Sequence, residues 1–301
     1  MKIVPANQND FPLLAQFIRP YEEKCIFLAS QIRRKSDHIF IIKKNGDKNN
    51  DDKKLSPGKT LSPGKKSDIL GVFYLDLSLF HCIPNPEYLN WDEILPFIKN
   101  TISSASPNPK SKVKCVSGEA KSTEFFVNIL KDFQGQPYQI NHYKLMTADH
   151  VQNPPEELAN DDKIIRCTEA DKDLLFPIQK KYLTEEVAPF GKTVSDAEVS
   201  LGLKQTLKNQ LCLALYTDGQ IAAKANTNAI GINWIQLGGV YTHPLYRRNG
   251  YAWHLVSAIC RRAEKAGKKS ALFVKDINVP AMELYKKSGF EDSGLYEIAY
   301  F

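Results

Sequence analysis

Arg247, Arg248 and Gly250 stand where a β-rich run gives way to a helix, and residues of these types at that junction suit the binding of an anion. The stretch reads Leu237-Gly238-Gly239-Val240-Tyr241-Thr242-His243-Pro244-Leu245-Tyr246-Arg247-Arg248-Asn249-Gly250-Tyr251-Ala252. Its strand ends at Pro244, an Arg/Gly turn follows, and a helix opens at about Tyr251. Unpaired backbone N–H groups and two guanidinium groups thereby meet at a helix N-terminus, where a phosphate would bind. Gly250 permits a close backbone approach or a positive φ. Ala252, Leu255, Val256, Ile259 and Ala263 share one face of the helix, while Arg261, Arg262 and Lys265 point away from it. Such a helix packs on a sheet and leaves its N-terminus free.

A second element follows at Asp276-Ile277-Asn278-Val279-Pro280-Ala281-Met282-Glu283-Leu284-Tyr285-Lys286-Lys287-Ser288-Gly289-Phe290. Asn278 and Pro280 are helix-start signals and Gly289 is a stop. Asn278 and Tyr285 lie two turns apart, nearly on the same side. Together the two elements resemble motifs of the GNAT superfamily of acetyl-CoA-dependent acyltransferases. In the pattern R/Q-x-x-G-x-G/A, Arg247, Gly250 and Ala252 fill the defined positions. In N-x-x-A-x-x-L-Y-x-K-x-G-F, every defined position matches, and the resemblance covers about 163–301.

The resemblance implies that Arg247, Arg248, Asn249, Gly250, Tyr251 and Ala252 cradle the pyrophosphate of coenzyme A. It further implies that backbone groups of Val240, Tyr241 and Thr242, on a splayed strand, hold the pantetheine arm. Asn278 and Tyr285 would lie on the ligand side of their helix. Tyr285 would be the general acid, since a thiolate with a pKa of about 8.5 leaves better when a phenol donates to it. The bland reading of Tyr285 is packing against Phe290. One position departs from the family. Histone-type members carry a glutamate base where this chain has about Gln236, and an amide cannot accept the proton. Glu185 and Glu186, in Tyr182-Leu183-Thr184-Glu185-Glu186-Val187, are the carboxylates available near the acceptor pocket, against a reading as a solvated helix end. His243 and His254 read as loop and helix-surface residues.

These groups need a scaffold, and the hydrophobic pattern supplies one. In the second half it predicts strand Lys163–Cys167, then a helix capped by Thr168 with Asp171 and running to about Tyr182. A helix over about Asp196–Lys208, a hairpin of Leu211–Tyr216 with Gln220–Thr227, and strand Trp234–Thr242 come next. Helix Tyr251–Ala266, strand Ser270–Val274, helix Val279–Ser288 and a final strand pair within Phe290–Phe301 complete it. The first half reads as helices over about 10–19 and 21–33, strands His38–Lys43 and Ile69–Leu77, and a helix at about Asp92–Ser103. Strand Lys112–Ser117, helix Ser122–Asp132 and strand Gln139–Met146 follow. The Pro-containing stretch Asp149–Asp162 reads as a linker.

The fold class expected is therefore α+β (α/β): two tandem GNAT-like domains, each a mixed, mostly antiparallel twisted sheet flanked by helices. Residues 1–148 would form a degenerate copy, 149–162 the linker, and 163–301 the catalytic domain. The first copy's counterpart of the phosphate turn is Val116-Ser117-Gly118-Glu119-Ala120, which lacks an Arg pair and would repel an anion. The apolar run Leu77–Pro84 fits either a domain contact or core.

Composition narrows the function classes. The net charge of +6 is concentrated between Lys43 and Lys66, where eight lysines face three aspartates. A basic nucleic-acid face is thereby disfavoured. That polar insertion, about 44–67, reads as a mobile hairpin loop and could tether an acidic partner. Gly58-Lys59-Thr60 and Gly191-Lys192-Thr193 imitate a P-loop, but Lys53 and Glu186 occupy the required upstream glycine positions. Six scattered cysteines read as free thiols of a reducing compartment, with no metal site. No signal-like N-terminus and no long apolar run are present, so a cytoplasmic protein without a membrane partner is expected. Acetyl-CoA is the expected cofactor and a small-molecule or peptide amine the acceptor, with a monomer or a homodimer both compatible. The alternatives are a transferase for a larger acyl or aminoacyl donor, and a non-catalytic CoA-binding sensor.

Overall fold

The computed structural model describes residues 1–45, 68–105, 113–188 and 193–301. Both P-loop imitations and most of the Lys-rich insertion therefore lie wholly or partly outside the described residues. The chain divides into two compact units that are interleaved in sequence: Met1–Tyr21, Gln31–Ile140 and Glu297–Phe301 form one, and Glu22–Ser30 with Asn141–Tyr296 the other. This differs from a single boundary at 149–162.

In the N-terminal unit, strands β1 (Lys2–Pro5), β2 (Ile39–Lys43), β3 (Ile69–Leu75), β4 (Ser78–Cys82) and β5 (Cys115–Glu119) lie side by side in that order. The first three pairings are antiparallel and β4–β5 is parallel. The unit's core gathers Phe73, Leu75 and Val116 from the strands with Ile94 and Ile98 of α3 (Trp91–Ala105) and Phe126 and Leu130 of α4 (Ala120–Gln134). The apolar run Leu77–Pro84 is thus a core strand of this unit. Helix α1 (Phe11–Ile18) buries Leu14 and Ile18.

The C-terminal unit is built on the strand order β12-β6-β11-β10-β9-β8-β7. Here β6 is Gln139–Ala148, β7 Lys163–Cys167, β8 Cys212–Thr217, β9 Gln220–Ile230, β10 Trp234–Thr242, β11 Lys269–Lys275 and β12 Glu291–Tyr300. Its helices are α5 (Lys172–Tyr182), α6 (Asp196–Asn209), α7 (Tyr251–Lys265) and α8 (Val279–Lys287). One strand, rather than a pair, closes the chain. β6 pairs antiparallel with β11, with Met146 opposite Leu272. It therefore belongs here and not with the first half, because Leu145 and Met146 are both fully buried in this unit's clusters.

One face of the sheet is covered by α7, through Leu255, Val256 and Ile259. The other is covered by α5 and α6, through Leu175, Ile178, Leu203 and Leu207. The capping boxes Thr168/Asp171 and Ser195/Glu198 start these last two. Residues 149–162 do not span between domains. They run along α7, where the Gln152 carbonyl accepts from Trp253 Nε1 (3.3 Å) and Ser257 Oγ (3.0 Å) and Asp162 accepts from Tyr251 Oη (3.2 Å). Prolines deny this stretch a regular ladder, and side chains of α7 take up its Gln152 carbonyl instead.

The segment Glu22–Ser30 supplies the cover that the remainder of the sheet needs. Ile26, in α2 (Ile26–Arg33), packs on Leu145, Ala229 and Ala271. Glu22 is 0% exposed, and its Oε1 accepts from the backbone N–H groups of Ile232 (2.6 Å), Asn233 (2.8 Å) and Trp234 (3.3 Å). Its Oε2 accepts from Asn233 Nδ2 at 2.7 Å. This carboxylate closes the turn between β9 and β10.

Two predictions follow from buried polar groups. Removing the carboxylate strands several donors, so Glu22→Ala is expected to cost about 3 kcal/mol. Denaturant unfolding of the full chain checks this, and a loss below about 1 kcal/mol would refute the assigned role. His81, 2% exposed, holds Thr123 Oγ1 at 2.9 Å, and burial pushes its imidazole down to about 3. Below pH ~6.5 the unfolded chain takes up a proton that the folded one refuses, so stability is lost as pH falls toward 3. His81→Phe should flatten that decline, measured as the difference in melting temperature between neutral and mildly acidic buffer.

Candidate active site

Strand β10 pairs parallel with β11 only from Trp234 opposite Lys269 to Leu237 opposite Leu272. Beyond that point the pairing ends, leaving Gly238–Thr242 bound on one side only, to β9. There the register passes from Gly238 opposite Asn226 to Tyr241 opposite Lys224, so Gly239 and Val240 face the single residue Ala225 as a β-bulge. Gly239 sits at φ +57°, and a Cβ there would lie 2.0 Å from Asn226 Oδ1 and 2.8 Å from Lys224 Nζ. Glycine is required here by conformation and by contact.

A lysine that the sequence reading passed over occupies the inside of this bulge. Lys224 is 1% exposed; its Nζ donates to the Gly239 carbonyl at 2.7 Å and to Asn226 Oδ1 at 3.1 Å. It also lies 4.7 Å from the centroid of the Tyr182 ring. Burial pushes the amine down to about 8. The clue in the sequence was a charged residue among alanines, Ala222-Ala223-Lys224-Ala225, within a strand otherwise apolar enough to be buried.

The phosphate turn follows the parted strand. Arg248 and Gly250 both adopt left-handed backbone, at φ +70° and +73°, and α7 begins with no side chain capping its first turn. Its leading N–H groups are thus left for an external acceptor. The turn borders a cavity of about 360 Å³ whose wall includes Thr242, Arg248, Gly250, Ala252, Pro280 and Lys287. Arg248 and Asn249 are exposed beside it. Uncapped amides, a guanidinium and a cleft between the starts of α7 and α8 fit a pyrophosphate-bearing cofactor.

Arg247 also lines this cavity and is held by its neighbours. Its Nε donates to the Thr242 carbonyl (3.2 Å) and its Nη2 lies 3.4 Å from Glu185 Oε2. The Tyr241 hydroxyl donates to the same Glu185 oxygen at 2.7 Å. Both contacts fall on Oε2, so a cation and a phenol together orient the Glu185 carboxylate. Glu185 and Glu186 sit on a π-type turn, Leu183–Val187, that ends α5. Lys275 Nζ donates to the Glu186 carbonyl at 2.7 Å, tying this turn to the end of β11.

Tyr285 is buried on α8, with its ring edge-on to Phe290 at 5.9 Å. Burial drives its phenol well above the ordinary tyrosine range, with Tyr182 and Glu186 adding to the shift. Burial likewise pushes Tyr182 up to about 12, with Tyr143 and Glu186 contributing. Tyr182 and Tyr285 are thus neighbours of one carboxylate, and each of these two phenols keeps its proton as a donor. Asn278 caps α8, accepting from the Ala281 N–H at 3.2 Å. Gln236 is half-buried on β10, opposite Ala229 and Ala271. His243 accepts from the Leu245 N–H and meets Lys181 Nζ at 2.9 Å, as a loop residue would, and His254 is half-buried on α7.

Among the described residues, no three or more His, Cys, Asp or Glu side chains gather in a way that would hold a metal ion, and no helix is long and apolar enough to cross a membrane. The described cysteines are free thiols.

A strand parted at a bulge, followed by an uncapped Arg/Gly helix start, is the arrangement on which comparison with known proteins bears. The acetyltransferase (GNAT) family model matches residues 179–290, and the C-terminal unit accordingly carries a GNAT acetyltransferase domain. No curated protein matches the chain. Among solved structures, a Drosophila melanogaster protein aligns over 99% of this chain and 98% of its own, with 11% identity and a TM-score of 0.64. A GNAT-family acetyltransferase from Colwellia psychrerythraea aligns over 100% of both chains at 11% identity and a TM-score of 0.50. These likenesses show the fold. The chain spans 65% of the length of a GNAT-family protein from Novosphingobium aromaticivorans, at 19% identity and a TM-score of 0.42.

The two left-handed glycines of the site should respond differently to one added methyl group. Gly239→Ala meets both strain and the Asn226 amide, so about 2 kcal/mol or more should be lost. Gly250→Ala, whose nearest obstacle is His254 Cδ2 at 3.9 Å, should lose only the backbone penalty of about 1 kcal/mol. Equal losses in denaturant unfolding would contradict the bulge geometry.

Proposed function

We propose that the C-terminal unit transfers an acetyl group from acetyl-CoA to a primary amine, directly and without a covalent enzyme intermediate. The observation that carries this reading is the uncapped, left-handed start of α7 lying just beyond the strand that parts from β11. Arg248 and the first amides of α7 would hold the pyrophosphate, and backbone groups of Val240–Thr242 the pantetheine arm. Bound acetyl-CoA would supply the thioester carbonyl and a thiol leaving group. The chain supplies the rest. Backbone N–H groups at the parting polarise an acyl oxygen. Tyr285, which keeps its proton well beyond neutral pH, donates to sulfur. Glu186, close enough to Tyr182 and Tyr285 to raise both, is the carboxylate placed to receive the amine proton directly or through water. Glu185, held by Arg247 and Tyr241, shapes the acceptor side.

The N-terminal unit is read as a copy of the same fold that has lost its cofactor site. The helix that joins its parallel strands β4 and β5, as α7 joins β10 and β11, is α3, whose first turn carries Asp92 and Glu93 and no arginine pair. The His81 ring fills the space over Gly118, where a Cβ would lie 2.3 Å from it.

Calorimetry with CoA, followed by thiol release from acetyl-CoA over a panel of small-molecule and peptide amines, tests the reading. Tyr285→Phe should slow turnover about a hundredfold while leaving CoA affinity within about threefold. Arg248→Glu should abolish CoA binding. Absence of CoA binding by the folded parent chain would overturn the assignment; binding without turnover would favour a sensor.

A further inference from the structure

The buried amine under the bulge has no part in the scheme above, and its geometry gives it one. A lysine with 1% exposure is costly to keep, because its ammonium loses hydration that a methionine or leucine would not need. Here the amine is fully committed, to the Gly239 carbonyl, to Asn226 Oδ1 and to the face of Tyr182. The first of these bonds matters most for chemistry. A peptide unit is planar and trans, so the carbonyl of Gly239 and the N–H of Val240 point in opposite directions from one rigid plate. Fixing the oxygen fixes the hydrogen. Neither residue has a register partner on β9, and pairing with β11 has already ended at Leu237. Without the lysine, two successive residues, one of them a glycine, would hold this plate by torsional preference alone.

We propose that Lys224 is the positioning residue of the acyl site: by clamping the Gly239 carbonyl it aims the Val240 N–H at the acyl oxygen in the gap between β10 and β11. This rests on the functional reading above and adds to it the residue that orients the donor. The same bond explains why Gly239 must be glycine, since any side chain would strike the clamp. Asn226 completes the support; its Nδ2 is held by the Thr227 carbonyl (3.0 Å) and Asn228 Oδ1 (3.1 Å), so its oxygen faces the lysine. The titratable groups around the amine are Tyr182 of α5, Cys167 of β7 and Cys212 of β8. Burial pushes the amine down to about 8, while the hydrogen bond with Cys212, and then burial, drive Cys167 upward.

Lys224→Met, which keeps length and removes the donor, is the test, with Lys224→Gln as the variant to use if the methionine protein does not fold. Three readouts are taken on the full chain. The kcat for thiol release should fall roughly tenfold or more, as expected when a donor is misaimed. The dissociation constant for CoA itself, measured by calorimetry, should stay within about twofold, because CoA lacks the acyl oxygen. Amide hydrogen exchange of the 237–242 segment should accelerate while that of α7 and β8 is unchanged. A folded variant with parental kcat and parental exchange overturns the proposal. Equal losses in kcat and CoA affinity, with faster exchange throughout the unit, also overturn it, as the signature of a merely structural lysine. A parent chain that binds no CoA overturns the functional reading first, and this proposal with it.

Discussion

Strand β10 has to satisfy two neighbours that do not stay together, and the rest of the site depends on how it does so. Up to Leu237 it is an ordinary inner strand between β9 and β11. From Gly238 it keeps only β9, and it keeps that partner through a bulge that would be unstable in an all-apolar surrounding. Half a ladder of backbone polar groups is thereby released into a gap while the remaining half is anchored. The same strand then runs into the uncapped start of α7, so one continuous stretch of main chain leaves backbone donors free first in the gap and then at a helix N-terminus. Side chains tune this arrangement; the backbone makes it.

Much of that could be read from residue order. Gly250, Asn278, Pro280 and Gly289 act on their own neighbours, so their turns and caps are local events that a sequence displays directly. The face of α7 and the Thr168 cap are likewise short-range. What escaped were pairings made across long separations. Strand β6 reads as well at the end of the first half as beside β11, since alternation reveals a strand but not its partner. Asp149–Asp162 looks like a connector because prolines break its periodicity, although its Gln152 carbonyl is taken up by both Trp253 and Ser257. Glu185 reads as a free base until Arg247 and Tyr241 are seen to reach it from the far side of the fold. Lys224 was hidden by its neighbours, because a single lysine within a strand is most simply read as facing solvent.

The starts of α7 and α4 make an instructive contrast, although α7 joins the two strands of a parallel pair and α4 follows the second strand of one. In the C-terminal unit, α7 follows Gly250 and carries no side-chain cap. In the N-terminal unit, α4 follows Glu119, whose carboxylate takes the position of an external anion. Both starts face the same electrostatic demand of an N-terminal turn, and only α4 meets part of it with a side chain of its own.

The carboxylate of Glu22 lies 210 residues before the first amide it accepts from, Ile232. On a ribosome elongating at about 5–20 residues per second, that interval lasts roughly ten to forty seconds. Throughout it, an acidic side chain and the apolar residues of its helix must wait without the sheet they will cover. The turn between β9 and β10 therefore closes late, and the parted strand takes its final shape only after nearly all of the chain has been made. A shortened version lacking the first thirty residues would deprive the C-terminal unit of a wall and of the counter-charge at its turn, so this unit is not a module that can be lifted out at the apparent boundary.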